Sequence, residues 1–192
     1  RNAWYVACAL SELEARQDRP LGRTICHEKM AFFRATDDQV AAVEDYCPHR
    51  GAPMSLGRVC QGQLRCGYHG LLMNGQGQVV DMPGQRVRGF PSVKSYPVRM
   101  RYGFVWVWPG DPNQADDALL PQFDFLDHPD WTYGGGLYHV QSDYRLMIDN
   151  LMDLSHETYV HANSIGQPEL DEAPCETRVD GDRVVTQRFM TD

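Results

Sequence analysis

The sequence predicts an α+β fold, in which an all-β N-terminal domain is followed by the start of an α+β domain. Residues 1–110 consist of short apolar and β-branched runs separated by turn residues, a pattern typical of strands. The segment Pro109–Pro112 then breaks the chain, and an acidic, turn-rich stretch follows. Beyond that stretch, residues 143–160 are the one long helical pattern. We therefore expect domains at residues 1–112 and 113–192.

The strands of the first domain are expected where an apolar run lies between turn signals. Residues 3–10 are apolar, but a single charge precedes them and acidic residues follow, so we interpret them as a buried first strand rather than a signal peptide. The run Phe104–Trp108 predicts a central strand, because aromatic and β-branched residues fit sheet positions. Further strands are expected at residues 24–26, at 30–34 and 40–45 around a hairpin tip at Asp37-Asp38, and within 71–81 around a turn at Asn74-Gly75.

The second domain is expected to begin with a strand at Leu137–Gln141, after three consecutive glycines. The helix predicted over residues 143–160 follows. A closing pair of strands, at residues 175–179 and 183–190, is expected to be joined by a turn at Asp180–Asp182. Because the chain begins without a methionine and ends just after that alternating run, we expect it to be part of a longer protein.

Charge and composition argue against two classes of partner. The 192 residues carry a net charge of −8, with 18 Lys and Arg against 26 Asp and Glu. Nucleic acid phosphates require a basic binding face, so we expect no nucleic acid partner. Outside the N-terminus the longest apolar run is Phe104–Trp108, which is much shorter than a membrane span. We therefore expect no membrane partner either.

The first set of candidate ligands consists of two short motifs. Cys47 and His49 form a C-x-H motif, and Cys66 and His69 form a C-x-x-H motif after sixteen intervening residues. Two thiolates and two imidazoles can hold one zinc ion tetrahedrally. They can also hold a [2Fe–2S] cluster in the Rieske arrangement, with the cysteines on one iron and the histidines on the other.

Spacing and glycine content favour the cluster over zinc. The single residue between Cys47 and His49 is unusual for a zinc knuckle. Gly51, Gly67 and Gly70 let the loop backbone come close enough for N–H groups to point at sulfur, and such hydrogen bonds tune a cluster. The pattern therefore favours a [2Fe–2S] cluster, with structural zinc as the alternative.

The second set of candidate ligands lies on the predicted helix. At about 100° per residue, Asp149, Asp153 and His156 share one helix face. His161 would lie about 140° away from His156 on an ideal helix, so the helix must end or bulge between them if both are to bind one metal. A zinc-protease motif needs its second histidine four residues after the first, and this spacing is five. Two histidines and one carboxylate instead match the facial triad of non-haem Fe(II) oxygenases.

Together the two sets resemble the α-subunit of Rieske non-haem iron oxygenases, in the monooxygenase branch that removes methyl groups from aromatic ethers. Four segments carry the resemblance: Asn2–Ala7, Cys47–Pro53, Trp106–Asp111 and Asp149–His161. Ala52 and Tyr68 stand where respiratory Rieske proteins have two disulfide-bonded cysteines, so the resemblance is to the low-potential type. It implies an all-β Rieske domain followed by the start of a helix-grip-like catalytic domain.

The resemblance implies a role for each candidate residue. Those that correspond to cluster ligands are Cys47, His49, Cys66 and His69. His156 and His161 correspond to two ligands of mononuclear Fe(II). Asp153 matches the bridging aspartate of the family, which accepts hydrogen bonds from His156 and from His69 of the partner subunit, and Asn150 matches a residue near the iron. The third iron ligand of the family is an aspartate far downstream, and no carboxylate within residues 162–192 matches it.

The implied activity is O-demethylation of a methoxy-aromatic acid, such as vanillate to protocatechuate, with release of formaldehyde and consumption of O₂. Electrons are expected from a flavin- and ferredoxin-type reductase that oxidises NADH, since the chain has no nucleotide-binding glycine loop of its own. The family further implies a homotrimer. The other cysteines show no paired spacing, which fits the bacterial cytoplasm. The alternative is a Rieske ferredoxin-like electron-transfer module without oxygenase activity, which would not need His156 and His161.

Overall fold

The computed structural model describes residues 1–189 and divides into two compact units, Arg1–Tyr133 and a second unit that starts at Gly134. The first unit is mostly sheet. Its strands are β1 (Tyr5–Ala9), β2 (Leu21–Ile25), β3 (Glu28–Thr36), β4 (Gln39–Glu44), β5 (Arg58–Cys60), β6 (Gln63–Arg65), β7 (Leu72–Met73), β8 (Val79–Asp81), β9 (Ser95–Tyr96), β10 (Val98–Arg101) and β11 (Phe104–Val107). Between these strands lie α1 (Leu10–Glu14) and a 3₁₀ turn at Met54–Leu56, and three more 3₁₀ turns follow β11, at Pro112–Gln114, Asp117–Leu119 and Asp124–Leu126.

Antiparallel pairing joins these strands into sheets with the orders β1-β11-β10, β2-β3-β4-β9 and β5-β6-β7-β8. The predicted first strand is confirmed as β1, which pairs with β11, and β11 is central in its sheet as predicted. The predictions at residues 30–34 and 40–45 are confirmed by β3 and β4, joined by a turn at Asp37-Asp38, although β4 ends one residue earlier than predicted, at Glu44. The strand predicted at residues 24–26 ends at Ile25, because Cys26 has a φ of 52° and turns the chain.

Strand β3 supplies side chains to two separate cores. Phe32 and Phe33 are both fully buried, yet they belong to different hydrophobic clusters because successive side chains of a strand point to opposite faces. The Phe33 cluster includes Cys47 and Cys66. Two of the candidate ligands are therefore fixed within a packed core.

The first unit continues past the boundary that the sequence predicts at residue 112. Trp4 stacks edge-on against Trp108, with ring centroids 5.5 Å apart, and its indole N–H donates to the carbonyl of Asp116 at 2.8 Å. Leu120 is buried in the same cluster of aromatic side chains. These contacts hold the acidic, turn-rich segment on the first unit, so the contacts divide after Tyr133. The assignment of functional domains to residues 1–112 and 113–192 stays a prediction.

The second unit combines short helices with one strand pair. Its elements are α2 (Tyr144–Met152), a 3₁₀ turn at Leu154–His156, α3 (Glu157–Val160), α4 (Glu169–Glu172), β12 (Cys175–Asp180) and β13 (Arg183–Arg188). The predicted closing pair and its turn at Gly181 are confirmed, although Met190, the predicted end of the last strand, lies outside the described residues. The strand predicted at Leu137–Gln141 is wrong: these residues are exposed and irregular, and no neighbouring strand within residues 1–189 pairs with them.

The helix predicted over residues 143–160 is interrupted, which corrects the prediction. It begins as expected, with the Asp143 side chain accepting from the Arg145 amide at 3.0 Å. It breaks at Asp153, whose φ of −115° and ψ of 97° are extended. The Asp153 side chain then accepts from the Ser155 amide at 3.0 Å and caps a new turn. No helix in the described part of the chain is both long and apolar enough to cross a membrane.

Candidate metal centres

The first candidate loop follows β4 and is closed by two backbone hydrogen bonds. The amide of Gly51 donates to the Cys47 carbonyl at 2.8 Å, and the amide of Cys47 donates to the Ala52 carbonyl at 2.9 Å. Gly51 has a φ of 70°, and a Cβ at this position would lie 3.2 Å from the ring of Tyr46. The loop therefore requires glycine four residues after its cysteine, because a side chain would be strained in this left-handed conformation.

The second candidate loop follows β6 and has the same hydrogen-bond frame. Gly70 donates to the Cys66 carbonyl at 3.1 Å, and Cys66 donates to the Leu71 carbonyl at 2.8 Å. The φ of Gly70 is 78°, so the left-handed glycine also recurs four residues after the cysteine. The loops differ in the histidine, which is the second residue after Cys47 but the third after Cys66.

The two cysteine side chains meet in the core. Cys47 and Cys66 are 2% and 3% exposed, and their thiols are close enough to interact. Burial raises the pKa of the Cys47 thiol, and the interaction with Cys66 acts in the same direction. The backbone amides of His49 and Arg50 point at the Cys47 sulfur and act in the opposite direction. These two donors are the kind of N–H···S contact that stabilises a metal-bound thiolate.

The two histidine rings of the loops also form a pair. The ring centroids of His49 and His69 are 4.7 Å apart and edge-on. Nδ1 of His49 is buried and has no hydrogen-bond partner in the described structure. Burial lowers the pKa of His49, and the neighbouring His69 and Arg50 lower it further. A neutral ring with a buried, unsatisfied nitrogen fits a metal ligand, because buried polar atoms are otherwise almost always paired.

These donors fit a [2Fe–2S] cluster of the Rieske type. The two thiols lie beside each other and the two imidazole rings lie beside each other, which is the division that a cluster with both cysteines on one iron and both histidines on the other requires. The four loop residues that the sequence selected thus form two pairs, one of cysteines and one of histidines.

Three further residues support the loops, and the motifs did not identify them. The ring of Tyr68 lies 3.8 Å from that of His69, and the ring of Phe90 lies 6.2 Å from that of His49. A Cβ on Gly57 would lie 2.0 Å from the Arg65 carbonyl, so the turn directly before β5 approaches the start of the second loop closely. Tyr68 could have been found from its position next to a ligand. Phe90 and Gly57 are brought near by the fold, and no local signal marks them.

The second histidine pair is close in space despite its spacing. The ring centroids of His156 and His161 are 5.5 Å apart. His161 is the residue at which α3 ends, with a φ of −107° and a ψ of 21°. The helix therefore ends between the two histidines, as a shared metal requires.

The environment of His156 differs from the expectation in one respect. Its Nδ1 lies 2.8 Å from the backbone carbonyl of Asp153, not at the Asp153 carboxylate. Its Nε2 lies 3.3 Å from Nδ2 of Asn150. The cause is the helix break, because the Asp153 side chain turns to the Ser155 amide and leaves its carbonyl facing His156.

The carboxylate of Asp153 is exposed and held in its charged form. Hydrogen bonds from Ser155 lower the pKa of Asp153, with smaller contributions from the charges of His156 and Arg188. Within residues 1–189, no group of three or more His, Cys, Asp or Glu side chains is placed to hold a metal ion. The structure brings Asn150, Asp153, His156 and His161 together and adds no carboxylate ligand among the residues it describes.

Comparison with known proteins agrees with this division of sites. Residues 3–97 match the Rieske [2Fe-2S] domain, and residues 140–192 match the vanillate O-demethylase oxygenase C-terminal domain. The vanillate O-demethylase oxygenase subunit of Pseudomonas sp. (strain HR199 / DSM 7063) is 63% identical over 190 residues, which are 99% of this chain and 53% of that protein. The oxygenase component of dicamba O-demethylase from Stenotrophomonas maltophilia is 46% identical over 84% of this chain and 47% of that protein.

A solved structure extends the similarity to the fold. The crystal structure of dicamba monooxygenase bound to dicamba superimposes with a TM-score of 0.89 at 39% identity, covering 100% of this chain and 58% of that one. The chain spans about half the length of the curated relatives it matches. The Rieske match decides between the two metals that the motifs left open, in favour of [2Fe–2S] over zinc. The chain belongs to the Rieske non-haem iron oxygenases, in the group of the vanillate O-demethylase oxygenase subunits.

Proposed function

We propose that the protein to which this chain belongs is the terminal oxygenase component of a Rieske monooxygenase that O-demethylates a methoxy-aromatic acid such as vanillate. One observation carries the proposal: a single chain holds the cluster-binding loops and also the close pair of His156 and His161. An electron carrier would need only the loops. The 63% identity to a vanillate O-demethylase oxygenase subunit supports the substrate class.

In this proposal each donor set holds one cofactor. The ligands of the [2Fe–2S] cluster are Cys47, Cys66, His49 and His69, and two ligands of mononuclear Fe(II) are His156 and His161. When bound, the cluster supplies single electrons and the iron activates O₂ beside the substrate. The net reaction takes two electrons from NADH, adds one oxygen atom to the methyl carbon and releases the other as water. The resulting hemiacetal separates into formaldehyde and the phenol, which is protocatechuate if vanillate is the substrate.

The backbone prepares His156 for metal binding. Because a carbonyl can only accept, the 2.8 Å contact with the Asp153 carbonyl places the proton of His156 on Nδ1. Nε2 then keeps its lone pair for the metal. Asn150, whose Nδ2 lies 3.3 Å from Nε2, would contribute a polar group beside a metal bound to His156. We assign Asn150 to that role beside the iron.

Asp153 has a second role in the proposal. Its carboxylate is exposed and its pKa is lowered, so it is charged at neutral pH. A charged, exposed carboxylate can accept a hydrogen bond from outside the subunit, and His69 is the exposed histidine of the cluster loops. We propose that Asp153 accepts a hydrogen bond from His69 of the partner subunit in a homotrimer. Such a hydrogen bond would give an electron a short bonded path between subunits.

The remaining partners follow from the same proposal. The relatives are oxygenase components and subunits by name, which supports a separate flavin- and ferredoxin-type reductase that oxidises NADH. We place the complex in the bacterial cytoplasm, where NADH and reduced thiols are available.

The test uses the full-length protein loaded with cluster and iron, together with such a reductase, vanillate and O₂. We expect protocatechuate and formaldehyde in equal amounts, and one NADH consumed for each molecule of vanillate converted. The His161→Ala variant is the control, because it should keep a reducible cluster and form neither product. Wild-type protein that contains iron and accepts electrons but releases no formaldehyde would instead favour the electron-transfer module.

A further inference from the structure

Positive charge is concentrated in the segment that carries the cluster loops. Residues 46–110 contain eight Lys or Arg and one Asp or Glu, although the whole chain has a net charge of −8. This segment is therefore suited to an acidic partner, whereas the rest of the chain would repel one.

Two arginines of this segment, Arg58 and Arg65, join Arg16 and Arg19 from the preceding part of the chain in a surface around Leu56, which we call the arginine patch. A groove of about 290 Å³ is lined by three of these arginines and by Leu56. Arg65 joins them because it lies directly opposite Arg58 in the β5–β6 pair. Leu56 is 78% exposed. An apolar centre with a charged rim is the usual composition of a protein docking surface.

The patch is poorly neutralised within its own unit. Arg58 forms an ion pair with Asp18 at 3.5 Å, on an exposed part of the surface. Arg19 and Arg65 form no ion pair with any residue that the structure describes. Like charges directly opposite each other destabilise a strand pair, so the facing Arg58 and Arg65 have an unfavourable interaction that an acidic partner would relieve.

The patch adjoins the cysteine end of the second cluster loop. Arg65 directly precedes Cys66 in the chain. The carbonyl of Leu56 would lie 3.1 Å from a Cβ placed on Gly67, so the exposed turn touches the loop itself. A protein that covers Leu56 would therefore come within a few residues of the buried thiols, and electron transfer requires such closeness.

We propose that the arginine patch is the docking surface for the protein that reduces this oxygenase, an acidic iron–sulfur carrier or carrier domain. The inference rests on the proposed function, because it takes the loops to hold a cluster that must be reduced. Acidic side chains of the carrier pair with the arginines, and Leu56 is buried at the centre of the contact. One electron passes from the reduced carrier to the oxidised cluster, the carrier is left oxidised by one electron, and no bond is made or broken.

The test measures binding of an oxidised, acidic plant-type ferredoxin to the full-length protein at low ionic strength. The variant is Arg19→Glu with Arg58→Glu, which reverses two charges of the patch and leaves Arg65, next to a cluster ligand, unchanged. We expect the Kd to rise by about tenfold or more, and the salt dependence seen with wild type to disappear. The rate of cluster reduction by the same ferredoxin in its reduced form should fall in parallel, while reduction by dithionite should not change.

One control variant outside the patch and one further variant within the patch complete the test. Lys29→Glu makes the same kind of charge reversal at an exposed residue of β3, outside the patch, and should change the Kd by less than about twofold. Leu56→Ala removes only the exposed apolar centre of the patch. It replaces the double variant in the binding measurement if the double variant does not fold. We expect it also to weaken binding.

The outcomes separate this inference from the proposed function. Wild-type affinity in both the double variant and Leu56→Ala would overturn the docking surface. A change in the molecular mass of the double variant in solution, with ferredoxin binding unchanged, would mean that the patch joins copies of this chain, and this too would overturn it. If patch-dependent binding persists while wild-type protein releases no formaldehyde from vanillate, the docking surface stands and the proposed activity is wrong.

Discussion

The two donor sets differ in what holds them. Cys47 and Cys66 belong to a buried cluster with residues such as Phe33 and Met54, so their own unit fixes them. In the second unit, Leu170 is the one buried hydrophobic side chain among the residues described, and α2 buries none. The side chain of His156 is positioned there by local hydrogen bonds. The comparison shows that the packed core of the first unit preorganises the cluster loops. The position of His156 depends instead on the helix break at Asp153.

The largest expected effect is the loss of the cluster on Cys66→Ser. Because Cys66 is a proposed ligand and is also part of the core, we expect complete loss of the visible absorbance and of the low-field electron-spin signal of the reduced protein, together with a less stable first unit. Absorbance and iron and sulfide content measure this. A variant that keeps full absorbance would contradict the ligand assignment.

The next effect is the loss of mononuclear iron and of turnover on His161→Ala in the full-length protein. The cluster should remain, because His161 lies in the other unit. Iron analysis and the Rieske spectrum of the same sample check this. Loss of both metals at once would break the comparison, since it would mean that the two sites are not held independently.

A smaller effect is expected for Asp153→Asn. Asparagine caps a helix turn as well as aspartate does, so the Ser155 hydrogen bond and the His156 contact should survive. The negative charge is lost, and turnover should fall by roughly 10- to 100-fold, the range typical of residues that support metal ligands. Rapid mixing of pre-reduced protein with O₂ and vanillate should show reduced cluster accumulating. Reoxidation at the wild-type rate would show that Asp153 is not the electron bridge.

The smallest effect concerns stability and contrasts the two units. Leu64 is fully buried beside the cluster loops, and Leu64→Ala should lower the free energy of unfolding of the first unit by about 2–5 kcal/mol. Leu146 on α2 is 61% exposed, and Leu146→Ala in the 192-residue chain should change stability by less than about 0.5 kcal/mol. Urea unfolding of the two variants measures both values. Equal losses would mean that α2 packs in solution as tightly as the cluster core.

The sequence predicted the first unit better than the second for a physical reason. Strands such as β11 are marked by aromatic and β-branched side chains, and the loops by cysteine, histidine and glycine at fixed spacing. The sequence did not predict the helix break at Asp153, because the prediction assumed an ideal, unbroken helix. It did not consider that aspartate often caps the start of a helical turn. The strand expected at Leu137–Gln141 failed because a strand needs a neighbour, which no local pattern supplies.

The boundary and the contacts of His156 depended on information outside the motifs. Residues 113–133 belong to the first unit because Leu120 packs in the same hydrophobic cluster as Trp4, which is far away in the chain. The His156 partner is a backbone carbonyl, and a sequence pattern names side chains only. Spacing therefore identified which residues meet, and the fold determined which of their atoms do.

The two cluster loops share one hydrogen-bond frame, and this frame does not depend on where the histidine stands in the loop. Each frame fixes the distance from a cysteine to a left-handed glycine, and the histidine between them occupies a different place in each loop. A designer could therefore exchange His49 with Arg50 and move an imidazole by one position, while both closing hydrogen bonds of the loop stay in place. The turn of each loop therefore does not depend on which of its positions carries the histidine. The ligand position of an iron–sulfur centre can be changed without changing that turn.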